Sequence, residues 1–284
     1  MKIIHTIDEI TQIVNEIKTK NRTIGFVPTM GFLHNGHTSL FDESIKQTDV
    51  TIVSIFVNPT QFGPNEDYNK YPRDLEGDFK IAENHGVDYI FVPNCSEMYP
   101  ENSLTNIKIN NLTDVFEGKL RPGHFEGVAL VLVKLFNIIK PDFAFFGQKD
   151  YQQSLVVKQI VKDLNIDIKL IVCPTVRLKT GLAMSSRNSY LTTDELEQAN
   201  ILYQTIESTK NNIAKGECNR ENINASMEQI LKTNKNIKID YASIVMAENL
   251  SEPNVFNIGD TAVILIAVYL GRVRLIDNSL VVFS

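Results

Sequence analysis

Short apolar runs alternate with longer amphipathic stretches up to about Val176. The run at residues 50–57 is rich in β-branched residues and nearly continuous, which is typical of a strand buried on both faces of a sheet. The predicted strands are residues 23–27, 50–57, 88–92, 142–146 and 167–172. The stretches between them predict helices at residues 38–47, 74–85, 128–139 and 151–164. Strands alternating with helices of this length predict an α/β fold with a parallel sheet.

The pattern changes after Val176. Thr192 and Glu195 have the spacing of a capping box, which predicts a helix reaching about Ile213. A second helix is predicted at residues 219–233, and strands at 237–246, 262–270 and 273–276, with Gly271 in the last turn. We therefore expect two domains, residues 1–176 with the parallel sheet and residues 177–284 as a smaller α+β domain.

The segment after the first of these strands carries the most informative motif. Residues 28–37 read PTMGFLHNGH and lead into a predicted helix. A strand, a glycine turn and a helix N-terminus form a common phosphate site, because free backbone N–H groups and the helix dipole face the anion. His34 and His37 are spaced to share one face of a helical turn. A metal site or two ordinary loop histidines remain the alternatives.

Amide side chains follow the predicted strand at 50–57. Asn58 and Gln61 can orient a small polar substrate, although they supply neither acid nor base. Turn chemistry around Pro59 is an equally good interpretation of Asn58. The segment RPGHF, residues 121–125, predicts a rigid turn carrying Arg121 and His124, and a structural or gating role is favoured there.

Two further segments combine a cation with small residues. Gly147 and Lys149 follow the predicted strand at 142–146, where a lysine meets phosphate as a mobile point charge. The segment MSSRN, residues 184–188, offers two hydroxyls and Arg187, which can stabilise charge on a leaving pyrophosphate. A polar capping loop is the alternative for this segment.

Composition narrows the class of protein. The net charge of −6 argues against a general nucleic-acid binder, and no apolar stretch is long enough to predict a membrane span. The segment from Ile3 to Ile17 mixes apolar and charged residues, unlike a secretory signal. Cys95, Cys173 and Cys218 fit neither a zinc site nor a disulfide framework, which predicts a cytoplasmic protein with structural cysteines.

Taken together in order, these motifs closely resemble the pantothenate synthetase (pantoate–β-alanine ligase) family of the nucleotidyltransferase superfamily. The resemblance covers almost the whole chain. It is carried by the segments at 27–31, 34–37, 54–62, 71–73, 121–125, 147–150, 184–188 and 274–278. The histidine motif alone marks only the superfamily, whereas the later segments are far more specific.

The resemblance implies a Rossmann-like N-terminal domain, a C-terminal lid and a homodimer. It implies ATP-dependent joining of (R)-pantoate to β-alanine through a pantoyl-adenylate, with release of AMP and pyrophosphate, in the pathway to coenzyme A. The residues it implies for ATP are Met30, Gly31, His34, Gly36, His37, Gly147, Lys149, Asp150, Val176, Met184, Ser185, Ser186 and Arg187. It gives the catalytic role to His37, supported by His34, Lys149 and Arg187, and pantoate binding to Gln61 and Gln153, to which we add Asn58.

The chain departs from the family pattern at two places. Gln148 stands where a glutamate is usual, and Gly77 stands beside Asp78 where an acidic residue is common. The second departure weakens the assignment of a protein side chain as a Mg²⁺ ligand. We expect the ATP phosphates to hold the ion. Two alternatives stay open: a nucleotidyltransferase that makes a dinucleotide or an activated head group, and a nucleotide-binding regulatory module without turnover.

Overall fold

The structure, a computed structural model, describes residues 1–64 and 66–284. Two compact units are distinguished by their internal contacts. The first comprises Met1–Gln148 and Gln152–Pro174, and the second comprises Lys149–Tyr151 and Thr175–Ser284. No helix in these described ranges is both long and apolar enough to cross a membrane.

A six-stranded parallel sheet forms the centre of the first unit, as the α/β pattern predicts. Its strands are β1 (Lys2–Ile4), β2 (Ile24–Thr29), β3 (Val50–Ile55), β4 (Tyr89–Phe91), β5 (Phe143–Gly147) and β6 (Lys169–Cys173). They lie in the order β1-β4-β3-β2-β5-β6, and every neighbouring pair is parallel. The order therefore reverses between β2 and β5, and ligands of such sheets bind beyond the carboxyl ends of the strands at this point.

Helices cover both faces of this sheet. They are α1 (Ile7–Thr19), α2 (Asn35–Gln47), α3 (Leu75–Asn84), α4 (Cys95–Met98), α5 (Phe116–Leu120), α6 (His124–Ile139) and α7 (Tyr151–Asp163), with 3₁₀ turns at Pro59–Gln61 and Tyr68–Lys70. Phe26 of β2 meets Phe136 of α6 edge-on, with ring centroids 6.4 Å apart. The next residue along β2, Val27, belongs to the opposite core with Phe41 of α2. Alternate residues of one strand thus support the two helical layers.

The second unit is built on a three-stranded antiparallel sheet. It contains a 3₁₀ turn (Ser186–Tyr190), α8 (Thr193–Gln198), α9 (Ile201–Ala214), α10 (Arg220–Leu231), β7 (Ile237–Met246), β8 (Thr261–Leu270) and β9 (Val273–Val282). Leu202 of α9 and Met227 of α10 are fully buried against Ile264 of β8. Gly271 makes the β8–β9 turn with φ of +58°, and the capping box of Thr192 and Glu195 is present.

Several elements differ from the sequence prediction. Strand β1 and helix α1 were not predicted, although Ile10, Val14 and Ile17 of α1 have helical spacing and are buried. The helix predicted from Thr192 to Ile213 is wrong, because the chain breaks at residues 199–200 into α8 and α9. Bonds of the i→i+3 type replace helical ones there, including the Leu202 amide to the Ala199 carbonyl.

The last strand is also longer than predicted. The sequence indicates an end at Ile276, whereas β9 continues to Val282 and pairs with β8 along its whole length. Asp277, Asn278 and Ser279 have low strand propensity, so the local pattern indicates a stop. The pairing overrides that pattern because Asp277 is buried in a bidentate ion pair with Arg177, with N–O distances of 2.6 and 2.9 Å.

Candidate active site

The turn after β2 is held open by a buried carboxylate. Gly31 and Phe32 have φ of +81° and +51°, and the Phe32 and Leu33 amides donate to Asp78 of α3 at 2.9 and 2.7 Å. A Cβ on Gly31 would lie 2.8 Å from the same carboxylate and 2.9 Å from Ile55, so only glycine fits. Burial raises the pKa of Asp78, although the two amide bonds oppose the shift. This carboxylate therefore fixes the backbone that leads into α2.

His34 and His37 form a reciprocal cap at the start of α2. The Gly36 amide donates to His34 Nδ1 at 3.1 Å, and the His34 amide donates to His37 Nδ1 at 3.2 Å. Since both Nδ1 atoms accept hydrogen bonds, each neutral ring carries its proton on Nε2. The ring centroids are 4.1 Å apart, so protonating both rings would also place two like charges together. The arrangement suits two neutral donors at a helix N-terminus.

Asn58 and Gln61 lie together after β3. The Asn58 side chain is 1% exposed and donates from Nδ2 to Gln61 Oε1 at 3.0 Å and to the Gly127 carbonyl at 3.1 Å. Its Oδ1 accepts from Thr60 and from the Tyr99 hydroxyl, the latter at 2.8 Å. Gln61 Nε2 approaches Met30 Sδ at 3.2 Å, and sulfur is a weak acceptor. The Asn58 amide is thus fully engaged inside the protein, while Gln61 retains donor capacity.

The turn at residues 121–125 is part of the same neighbourhood. His124 donates from Nδ1 to the Gln61 carbonyl at 2.8 Å, and Arg121 Nη1 lies 3.1 Å from His124 Nε2. Arg121 also makes a bidentate pair with Glu66, at 2.6 and 2.9 Å. Burial, followed by the nearby guanidinium, lowers the pKa of His124 to about 4. His124 is therefore a neutral donor in this site and not a proton carrier near neutral pH.

Adjacent glutamines at the start of α7 have different surroundings. Gln152 is 4% exposed, donates to the Leu112 and Val115 carbonyls and accepts from the Glu117 amide. Gln153 is half-buried, and its side chain makes no hydrogen bond within the described part of the chain. The sequence alone could not separate the two. Their contacts leave Gln153 as the one able to bind a ligand.

The backbone at the end of β5 accommodates the Gln148 departure. Gly147 is the last residue of β5, and the Gln148 amide donates to the Cys173 carbonyl of β6 at 2.8 Å, a bond that any side chain permits. In the second unit, Lys149 Nζ lies 3.7 Å from Asp150, and the Lys149 carbonyl accepts from Asn278 Nδ2 at 2.7 Å. The Lys149 backbone is thus fixed by Asn278, whereas its ammonium group makes only a long ion pair with Asp150.

The serine–arginine segment also lies in the second unit. The Met184 amide donates to the Val176 carbonyl at 3.0 Å, which joins two stretches predicted to bind ATP. Ser185 Oγ accepts from the Arg187 amide at 3.3 Å and caps the 3₁₀ turn that follows. Ser186 is buried, whereas Arg187 is half-buried. A capped turn with a guanidinium is compatible with binding an anion, and also with the capping-loop alternative.

Sequence reasoning missed two residues that support the site. The sequence indicates Asp78 only as the neighbour of a possible metal position, and it predicts a structural or gating role for His124. The available signals were the placement of Asp78 in the first turn of a predicted helix and the rigid Pro-Gly turn before His124. Neither signal identifies the hydrogen-bond partner, because the partners are distant in sequence. Asp78 contacts the turn after β2, and His124 contacts Gln61.

Comparison with known proteins agrees with this geometry. Residues 2–280 match the Pantoate-beta-alanine ligase family model. A pantothenate synthetase of Caldicellulosiruptor saccharolyticus is 50% identical over 281 residues, covering 99% of each chain. The crystal structure of a pantothenate synthetase from Thermus thermophilus aligns with a TM-score of 0.92 at 38% identity, covering 98% of this chain and 99% of that one.

A second solved structure adds ligands. It is a pantoate-beta-alanine ligase from Francisella tularensis, complexed with beta-gamma ATP and β-alanine. That protein is 40% identical with a TM-score of 0.80, and the match covers 99% of this chain and 97% of that chain. The sequence motifs, the sheet with its switch point and the full-length matches agree, and the chain belongs to the pantoate–β-alanine ligase family.

Proposed function

We propose that this protein joins (R)-pantoate to β-alanine at the expense of ATP, through a pantoyl-adenylate, with release of AMP and pyrophosphate. The observation that carries the proposal is the family match over residues 2–280, together with the capped histidine pair at the sheet's switch point. Pathway membership follows, since the product is pantothenate, the precursor of coenzyme A. Cytoplasmic location and a homodimer are part of the same proposal.

ATP binding begins at the turn after β2. Met30, Gly31 and Gly36 contribute backbone around the phosphates, and His34 and His37 donate from Nε2. Neutral imidazoles fit this role because protonation at Nδ1 would break the bonds from the Gly36 and His34 amides. A pair of fixed N–H donors stabilises charge as it moves onto the leaving pyrophosphate. His37 remains the residue to which we assign the largest catalytic effect.

The remaining ATP contacts are those that the family resemblance implies, beginning with Gly147. Lys149 and Arg187 supply positive charge, which the first step requires because an anionic carboxylate attacks an anionic phosphate. Backbone and hydroxyl groups complete the nucleotide contacts through Asp150, Val176, Met184, Ser185 and Ser186. Residues 1–176 serve as the ATP- and pantoate-binding domain and residues 177–284 as the lid.

Pantoate is held by Gln61 and Gln153. The pantoate carboxylate is ionised at neutral pH and needs no general base. Asn58 acts one step away: its amide is engaged by protein groups, so it orients Gln61 and does not itself contact pantoate. In the second step the β-alanine amine attacks the acyl-adenylate and AMP leaves. Excluding water protects this reactive intermediate.

Mg²⁺ enters as part of the nucleotide substrate. Among the described residues no group of three or more His, Cys, Asp or Glu side chains could hold a metal ion. Asp78, which is adjacent to the family's acidic position, already accepts hydrogen bonds from two backbone amides. This donor set does not fit a magnesium ion held by protein side chains.

The experiment is AMP release from MgATP with (R)-pantoate and β-alanine, omitting one component at a time. Formation of AMP that needs both organic substrates is the expected result. Pantoate-dependent exchange of pyrophosphate into ATP, without β-alanine, would support the adenylate intermediate. ATP binding without AMP formation in any mixture would refute the proposal and favour the regulatory module. The His37→Ala variant should slow adenylate formation by about 10²–10³.

A further inference from the structure

The first turn of α6 lies directly against the 3₁₀ turn that carries Gln61. We call His124 and Gly127 of this turn the α6 platform. His124 Nδ1 donates to the Gln61 carbonyl at 2.8 Å, and the Gly127 carbonyl accepts from Asn58 Nδ2 at 3.1 Å. One backbone carbonyl, that of Gln61, and one side-chain amide, that of Asn58, are thereby fixed by a single helical turn. None of these contacts belongs to the roles proposed above for ATP.

Gly127 permits a close approach between the two segments. A Cβ at this position would lie 2.6 Å from the Gln61 amide nitrogen and would also overlap the Thr60 carbonyl. Contacts of that length are incompatible with a real side chain, so an alanine must push the two segments apart. The glycine is therefore needed for packing and not for backbone conformation.

His124 is locked in one tautomer. Arg121 has only donors, so His124 Nε2 must accept from it and the ring proton must sit on Nδ1. Glu66 holds Arg121 by a bidentate pair, and Glu117 lies 3.9 Å away. The imidazole is buried and remains neutral, so its Nδ1–H is a permanent donor to the Gln61 carbonyl.

The side chain of Gln61 is oriented by the same set of contacts. Asn58 Nδ2 donates to Gln61 Oε1, which requires that the Gln61 amide present its nitrogen elsewhere. The Nε2–H groups then face away from Asn58 and make only a weak contact to Met30 Sδ, so they remain able to donate to a ligand. A ligand group bound by Gln61 Nε2 is consequently an acceptor, such as a carboxylate or hydroxyl oxygen.

We propose that the α6 platform is a positioning device for Gln61, with His124 and Gly127 fixing this residue as a donor to an acceptor oxygen of pantoate. The inference rests on the proposed function, because it deepens the assignment of Gln61. His124 and Gly127 act through Gln61 and Asn58 and do not touch the substrate. The RPGHF segment and Gly127 thereby contribute to substrate specificity.

The test compares His124→Leu, His124→Asn and Gly127→Ala in steady-state kinetics with ATP and (R)-pantoate varied separately. Leucine removes the donor, whereas the asparagine amide nitrogen can take the place of Nδ1. We expect His124→Leu and Gly127→Ala to raise the KM for pantoate about tenfold, with the KM for ATP changed less than about twofold. His124→Asn should restore the KM to within about threefold of the wild type.

A matched control is His85→Asn. His85 also uses Nδ1 in a hydrogen bond, to Asp42 at 2.9 Å, but it is outside the site, so its kinetics should match the wild type. A cycle with Gln61→Ala isolates the mechanism: in that background His124→Leu should cause no further rise in the KM for pantoate. Circular dichroism verifies folding, and Gly127→Ala and His124→Asn carry the test if His124→Leu fails to fold.

Three results would overturn the inference. They are an equal rise in both KM values, a loss confined to kcat, and multiplication of the His124→Leu and Gln61→Ala effects on the KM for pantoate. Failure of the proposed function looks different. In that case the wild type and His85→Asn alike would form no pantothenate, and the positioning inference would fall with it.

Discussion

Replacing Asp78 by alanine removes the carboxylate on which the turn after β2 depends. Asp78 is 2% exposed and accepts from the Phe32 and Leu33 amides. Each amide left without a partner costs about 1–3 kcal/mol, but Phe32 is half-buried and its amide can be rehydrated. Removing a carboxylate whose pKa is raised by burial also relieves a desolvation cost. We therefore expect a net loss of about 2–3 kcal/mol in the free energy of unfolding.

Binding of ATP should suffer as well. Gly31 and Phe32 have positive φ, and the two amide bonds to Asp78 fix this turn, so losing them would displace the helix N-terminus that follows. Losing one hydrogen bond to a charged phosphate group costs about 1.5–3 kcal/mol, so the KM for ATP should rise at least about tenfold. The pantoate KM should change much less, because the contacts of Gln61 do not involve Asp78.

Urea unfolding followed by circular dichroism, with kinetics in ATP, measures both effects. Asp74→Ala is the matched control: Asp74 caps α3 through the Gly77 amide at 3.0 Å and makes no hydrogen bond to the turn after β2. It should cost about 1 kcal/mol and leave the KM for ATP unchanged. Equal stability losses in the two variants, or an unchanged KM for ATP in Asp78→Ala, would refute the reasoning.

Three other perturbations have defined outcomes. His124 has a pKa of about 4 when folded and 6.5 as its usual value, so its neutral form contributes stability above pH 6.5 that is lost as pH falls towards 4. His124→Asn should reduce the change in the free energy of unfolding across that pH window by about 3 kcal/mol or less, as measured by urea unfolding. An unchanged dependence of this free energy on pH would contradict the assignment. Burial raises the pKa of Cys173 to about 11, so a thiol reagent at pH 8 should modify exposed Cys95 first, as mass spectrometry can show, and early labelling of Cys173 would contradict this. Asp277→Asn should lower the free energy of unfolding by about 3 kcal/mol, because it weakens the buried ion pair with Arg177. Thermal unfolding measures this loss, and a loss under about 1 kcal/mol would contradict the prediction.

The main elements could be predicted because their signals are local. The strands β2 and β3 are nearly continuous apolar runs, and the turn after β2 combines glycine with a helix start, so pattern and chemistry coincide. Strand β9 shows the limit of this approach. Its last residues have a polar pattern, and their conformation is set by pairing with β8 and by the Arg177 ion pair.

The supporting residues of the candidate site could not be found this way. Asp78 lies 45 residues after Leu33, and His124 lies 63 residues after Gln61, yet each pair is joined by one hydrogen bond. No periodicity encodes a partner at such separation. A sequence motif can therefore identify the groups that meet a ligand more readily than the groups that hold them in place.

The adjacent glutamines on α7 have a consequence for redesign of this protein. The Gln152 side-chain amide hydrogen-bonds to the backbone of residues 112–117, donating twice and accepting once. A glutamate there would set an acceptor against the Leu112 and Val115 carbonyls, so a library should hold position 152 fixed. The Gln153 side chain makes no such hydrogen bonds within the described part of the chain. Of these two adjacent glutamines, Gln152 should therefore be kept, whereas Gln153 can be varied to select variants that accept other acid substrates.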